Sequence, residues 1–183
     1  MVMGIPPGGM EVAAALAGVL QLPLSCWSVQ RMWLPGACQV TIGALAPGNI
    51  QMLGAYGLRR HGLDPERCQA LLQRQERHLQ KDQRRFGDPN PMELRHRHLI
   101  LVDEANRSGL AMAAGLLSLR AFYPASITVA APVACLAALE RLGPLADQVV
   151  VLRPVEWLPQ LADWFGSLSP VGARQVIALL GAA

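Results

Sequence analysis

Two adjacent carboxylates, Asp103 and Glu104, stand just ahead of Asn106, Arg107, Ser108 and Gly109, and no other part of the chain is better equipped for chemistry. A pair of acids can accept hydrogen bonds from the neighbouring hydroxyls of a sugar. The stretch behind them, Asn106, Arg107, Ser108, Gly109, Leu110 and Ala111, offers backbone N–H groups, a hydroxyl and the start of a helical run. That combination suits a phosphate. A grip for a diol beside a cradle for a phosphate is what a ribose 5-phosphate needs. The plainer alternative is that the two acids only cap the helix that follows.

The elements that must position these groups are short and alternating. Residues 99–102 are four apolar residues flanked by charge, which fits a buried parallel strand. In open α/β sheets, ligands bind beyond the carboxyl ends of such strands, where Asp103 and Glu104 stand. Residues 110–121 read as the next helix, 127–131 as a strand, 135–142 as a helix and 149–152 as a strand. Ahead of them come a strand end at 1–5, a Pro-Pro-Gly-Gly turn at 6–9, a helix at 10–20 and a strand at 22–29. A loop at 33–37 leads to a hairpin, 40–46 and 50–53, across Pro47-Gly48-Asn49. Asp64 and Pro65 form an N-cap and first-turn proline for a long helix to about Phe86, with Cys68, Leu71, Leu72 and Leu79 on its apolar side. Strand–helix alternation predicts an α/β fold, a three-layer αβα arrangement around a mostly parallel central sheet. The expectation is a single domain over residues 1–183, with a hairpin and basic helix inserted at about 38–96 and an aromatic, helical C-terminal segment at about 157–183.

Composition sets outer bounds. Of 183 residues, 52% are apolar and 16% charged, which favours a sheet buried on both faces over a solvated one. Mean hydropathy is +0.27, yet the apolar run at 12–20 is far short of the ~20 residues a spanning helix needs. With Glu11 before it and no positive charge ahead, it also makes a poor export signal. The expectation is a cytoplasmic protein that neither spans nor anchors in a membrane. The net charge of +3 is concentrated at 59–97. Because no aromatic residue interleaves with those charges before Phe86, the first reading is a solvated helix face; a surface at 65–86 for anionic ligands or nucleic acid is the weaker alternative. Cys26, Cys38, Cys68 and Cys135 have neither disulfide-scaffold density nor metal-ligand spacing, so free thiols are expected.

The hydrophobic strand, the two acids and the Ser-Gly loop together resemble the signature of the phosphoribosyltransferases, with Asp103, Glu104, Ser108 and Gly109 at the matching positions. The resemblance extends over roughly residues 4–180 and is strongest to bacterial members with a basic helical insertion. It implies the type I phosphoribosyltransferase fold and a glycosyltransferase reaction: phosphoribosyl pyrophosphate, with Mg²⁺, gives its phosphoribose to a base or another acceptor. Asp103 and Glu104 would then be the catalytic pair, taking the ribose hydroxyls and reaching the metal only through them. Asn106, Arg107, Ser108, Gly109, Leu110 and Ala111 would wrap the 5-phosphate. Gly8, Gly9 and Arg31 would serve the pyrophosphate side, and Trp157 or Trp164 would stack on the acceptor base.

The departures from the family pattern fall on the pyrophosphate side and, to a lesser extent, in the phosphate loop. Pro7 stands where Arg is usual, which removes a cation and a backbone donor. Gln30 has lost a positive charge and Gln39 an acid, whereas Pro35, Gly36, Gly43 and Ala44 are kept. Ala111 replaces a second hydroxyl residue and Arg107 a small one; Arg107 could pair with phosphate directly. Trp33 is large where the family is small, and packs in a loop or offers a platform. The relatives also carry a helix and strand start before the first loop. The chain here begins almost at that loop, so the expectation is an upstream start or a partner subunit that completes the strand, in a homodimer. The alternative role is a nucleotide- or ribose-phosphate-binding or protein-interaction module that has lost transfer.

Overall fold

The computed structural model describes residues 1–34, 37–54, 65–165 and 171–182. The loop residues Pro35 and Gly36, the helix cap Asp64 and the side chain of Gln39 lie outside the described residues.

The chain forms β1 (Val2–Gly4), α1 (Gly9–Leu20), β2 (Leu24–Cys26), β3 (Gln30–Leu34), β4 (Ala37–Ala46) and β5 (Ile50–Leu53). There follow α2 (Pro65–Phe86), α3 (Pro91–Leu94), β6 (His98–Val102), α4 (Leu110–Arg120), β7 (Ser126–Cys135), α5 (Leu136–Leu142), β8 (Gln148–Val155), a 3₁₀ turn (Ala162–Trp164) and α6 (Ala173–Gly181). Five strands make a parallel sheet in the order β2-β1-β6-β7-β8. The α/β class and the parallel central sheet are as the alternation implied.

Side chains alternate across each strand, and the two faces are covered differently. Val2, Val102 and, less deeply, Ile100 and Ala130 pack with Ala13, Ala17 and Leu16 of α1. Met3, Ile5, Leu99, Leu101, Ile127 and Val129 face the other way, into the main core with α4. A helix that is apolar all round must be buried all round, and nine residues of α4 are buried.

What covers the far side of α4 differs from the sequence reading. Residues 22–29 are not one strand: β2 ends at Cys26, and after Trp27-Ser28-Val29 the chain enters β3 in a separate antiparallel sheet, β3-β4-β5. Trp33 accordingly lies in β3 and Ala37 in β4, where a loop was expected. Ala44, Ala46, Ile50 and Met52 of this second sheet join the main core around α4, and Ser118 of α4 donates to the Pro47 carbonyl at 2.6 Å. The outer side of the sheet, with Met32, Ile42 and Leu45, is capped by Leu71, Leu72 and Leu79 of α2. The inserted unit therefore starts at Gln30 and not near 38. Asp88, just after α2, accepts from the Ser28 hydroxyl at 2.7 Å and the Ser28 N–H at 3.1 Å, which fastens the unit's exit to its entry.

Strand β7 is also longer than expected, because Pro132-Val133-Ala134 continue it. Proline lacks the ladder N–H and is tolerated where a neighbour is missing. Strand β6 has ended at Val102, opposite Ala130, so β7 beyond that point pairs with β8 and, among the described residues, meets a single bridge from Asn106 on its other side.

Candidate functional site

In the central sheet the connections from β1 run outward to β2 on one side, while β6 lies on the other. The order of the strands reverses there, which is where open α/β sheets form their ligand crevice. The loop after β1 and the loop after β6 meet at this point. A Cβ on Gly9 would lie 2.8 Å from the Val102 carbonyl oxygen and 3.0 Å from the Asp103 Cα, so only glycine lets these backbones approach. A Cβ on Gly8 would instead meet the Glu104 carboxylate, a side-chain end, with Cδ 2.6 Å away.

Asp103 is 1% exposed. Its carboxylate is held by Arg31 of β3, whose Nη2 lies 2.6 Å from Oδ1 and 2.7 Å from Oδ2. The same Nη2 stands 3.7 Å from Glu104 Oε2. Burial alone would lower the Arg31 pKa, but the two carboxylates outweigh it and hold the guanidinium above its ordinary value. Glu104 shows the reverse balance: burial and the neighbouring Asp103 push its carboxyl well above the usual carboxylate range, against the pull of Arg31. Its Oε2 is buried without a hydrogen-bond partner among the described residues.

The loop behind the acids is tied down at both ends. Asn106 donates its N–H to Val133 at 3.0 Å and accepts from Cys135 at 2.8 Å, a bridge onto β7. The Arg107 side chain donates to the Pro159 carbonyl at 3.0 Å. Arg141 of α5 donates to the Ser108 carbonyl, and the Ser108 hydroxyl faces the Leu110 N–H at 3.4 Å. Gly109 holds φ +70°, and a Cβ there would press on the α5 backbone at Ala138, 3.2 Å away. The loop thus turns into the N-terminus of α4, whose first N–H groups have no helical partner. The Asn106 side-chain nitrogen Nδ2 is buried without a partner among the described residues.

A cavity of about 250 Å³ joins these parts. It is lined by residues 103–111, by Arg31, Trp33 and Thr41 from the second sheet, and by Leu158 and Leu161 from the C-terminal segment. All of the expected sugar- and phosphate-side residues are therefore brought together. A second cavity, about 440 Å³, lies on the other side of Arg31 against Pro6, Pro7, Gln30 and Asp82. Arg31, Trp33 and Glu104 border both. Trp157 is 73% exposed and Trp164 39%, and neither lines either cavity. Trp33 and Thr41 hold the place beside the acids instead. Trp33 carried a signal in the sequence as an oversized residue, whereas Thr41, Leu158 and Leu161 carried none.

Comparison with known proteins finds similar chains. Over 98% of its length the chain is 25% identical to a Mycobacterium tuberculosis protein named "Putative phosphoribosyl transferase", found in two strains. The chain is thus similar to proteins that carry the name phosphoribosyl transferase. It spans about two fifths of the length of those curated relatives, 41%. No family model matches it. Among solved structures, the protein TT1426 from Thermus thermophilus is 29% identical, aligns over 98% of this chain and 85% of its own, and has a TM-score of 0.69. The protein AQ2163 from Aquifex aeolicus shares the fold at 12% identity and a TM-score of 0.52, over 86% of this chain and 55% of its own. In this chain the acids, the loop and the start of α4 belong to one cavity, while Pro7 and Gln30 face the second.

Proposed function

We propose that this protein transfers the phosphoribosyl group of phosphoribosyl pyrophosphate to a nucleophilic acceptor. The single observation that carries the reading is the shared cavity: an acid pair at the end of β6 and a helix-N-terminal loop, residues 106–111, border one space at the strand-order reversal. In the reaction the bond from ribose C1 to the diphosphate oxygen breaks, pyrophosphate leaves with the electron pair, and the acceptor bonds to C1 and gives up a proton. Positive charge builds on the sugar ring next to Asp103 and Glu104, which oppose it electrostatically. The loop supplies N–H donors, and the Ser108 hydroxyl a further contact, to the 5-phosphate. Gly8 and Gly9 carry the first loop against the acids. Trp33 takes the place beside the acceptor that Trp157 and Trp164 were expected to fill.

Among the described residues no three His, Cys, Asp or Glu side chains converge on a metal-sized site. Mg²⁺ would therefore be held largely by the diphosphate and ribose oxygens, with Asp103 and Glu104 as the protein groups nearest to them, and it would neutralise charge on the leaving pyrophosphate. Among the described residues no helix is long and apolar enough to cross a membrane. The proposal extends to a cytoplasmic enzyme of nucleotide metabolism that works as a homodimer.

One observation favours a second reading, a nucleotide-binding module without transfer: Pro7 contributes no charge to the second cavity, and Gln30 is engaged by Asp82 at 2.5 Å. Calorimetric titration separates the two. Mg²⁺-dependent binding of phosphoribosyl pyrophosphate that is lost in Asp103→Asn, with pyrophosphate released on adding a base, supports transfer. Binding of nucleoside monophosphates alone supports the module.

A further inference from the structure

We infer that Arg31 is a specificity-determining gate: it occupies the diol-binding acids until an anion at the C1 side of the sugar draws it away, so the site selects a ribose phosphorylated at both ends over one phosphorylated at C5 alone. This rests on the proposed function and names its ligand preference. Three observations support it. One Nη2 bonds both oxygens of Asp103 and lies within ion-pair distance of Glu104, so the groups meant for two hydroxyls already serve a cation. Arg31 borders a second cavity on its far side, which gives the guanidinium a place to go. Among the described residues lining that second cavity, Arg31 is the only cation, because Pro7 brings none.

Energetics then set the preference. Pulling Arg31 off leaves the nearly inaccessible Asp103 carboxylate, with the Glu104 carboxyl beside it, without a counter-charge, and that is strongly unfavourable unless the incoming ligand compensates. A diol supplies hydrogen bonds to the acids but nothing to the displaced guanidinium. The 5-phosphate cannot supply it either, since C5 and C1 lie at opposite ends of the ring and the 5-phosphate sits on residues 106–111. A diphosphate on C1 supplies both halves of the exchange.

The test titrates wild type, Arg31→Gln and Arg31→Lys with ribose 5-phosphate, phosphoribosyl pyrophosphate and inorganic phosphate, with Mg²⁺ throughout. Wild type is expected to prefer the diphosphate by about 100-fold; Arg31→Gln should tighten ribose 5-phosphate by about 10-fold, weaken the diphosphate, and leave inorganic phosphate unchanged. Ribose 5-phosphate affinity that stays level or falls in Arg31→Gln, while wild type still binds the diphosphate, overturns the gate alone. If neither protein binds either sugar phosphate, the transferase reading falls and the gate with it. Should Arg31→Gln unfold, Arg31→Lys decides: it keeps the charge but not the two-oxygen grip, so ribose 5-phosphate should tighten about threefold, and no change overturns the gate.

Discussion

Arg31–Asp103 and Arg120–Asp147 are the same chemical pair at nearly the same separation, 2.6 and 2.7 Å, and they do opposite things. The first has side-chain exposures of 15% and 2%, the second 35% and 45%. Asp147 is a fastener. It accepts the Ile127 N–H at 2.6 Å, and Arg120 also donates to the Leu145 carbonyl at 3.2 Å, so the start of β7 is stitched to the turn before β8. The Ile127 N–H, and Arg120 after it, hold the Asp147 carboxyl below its ordinary range. Beside the buried pair, at Glu104, desolvation dominates instead and drives that carboxyl the other way. Equal distances therefore say little about worth. The exposed pair is screened by water and nearly dispensable. The buried one is costly to form and costlier to break, and it can be exchanged only by something that satisfies both partners.

The sharpest way to break the comparison is Gly9→Val, since its Cβ would meet backbone that cannot yield beside Asp103. Thermal and urea unfolding should show a loss of about 3 kcal/mol, and ligand binding should go with it. Asp103→Asn comes next. It keeps a carbonyl acceptor for Arg31 but removes the charge, so unfolding should cost about 2–3 kcal/mol, at the low end for a broken buried pair. Glu104→Gln tests the electrostatics by sign. A carboxyl whose folded pKa is raised keeps a proton that the unfolded chain has released, so wild-type stability should fall as pH rises from about 4.3 toward the folded value. The variant should lack that decline, which urea midpoints between pH 4 and pH 8 can read. Smallest of all, Arg120→Gln should cost about 0.5 kcal/mol, a difference that fades in high salt. A larger loss there than at Asp103 would reverse the ranking.

The sequence carried the local half of this arrangement. Residues 99–102 and 110–119 announce a buried strand and a buried helix because nearly all of their side chains are apolar, and the acids and Ser108-Gly109 fall between them in a fixed order. The nonlocal half left no such trace. The apolar run from Leu22 to Val29 conceals a change of sheet, since partners and not composition decide where a strand pairs. Arg31 and Asp103 are 72 residues apart, and nothing nearby in sequence links them. Trp33, Trp157 and Trp164 are alike as residue types. Only the second sheet, folded back over α4, brings Trp33 to the cavity and leaves Trp157 in solvent.

The burial of α4 also sets how long its amides stay closed. Between two sheets, with Ser118 anchored to the hairpin turn, this helix can open to solvent only when the surrounding core does, so its amides should be among the last in the chain to exchange with deuterium. The phosphate-side loop inherits that persistence through Leu110. The strand that carries Arg31 and Trp33 is an edge of the outer sheet, so it can fray without opening the core around α4. The two halves of the cavity therefore keep different time, one set by global unfolding and the other by local breathing.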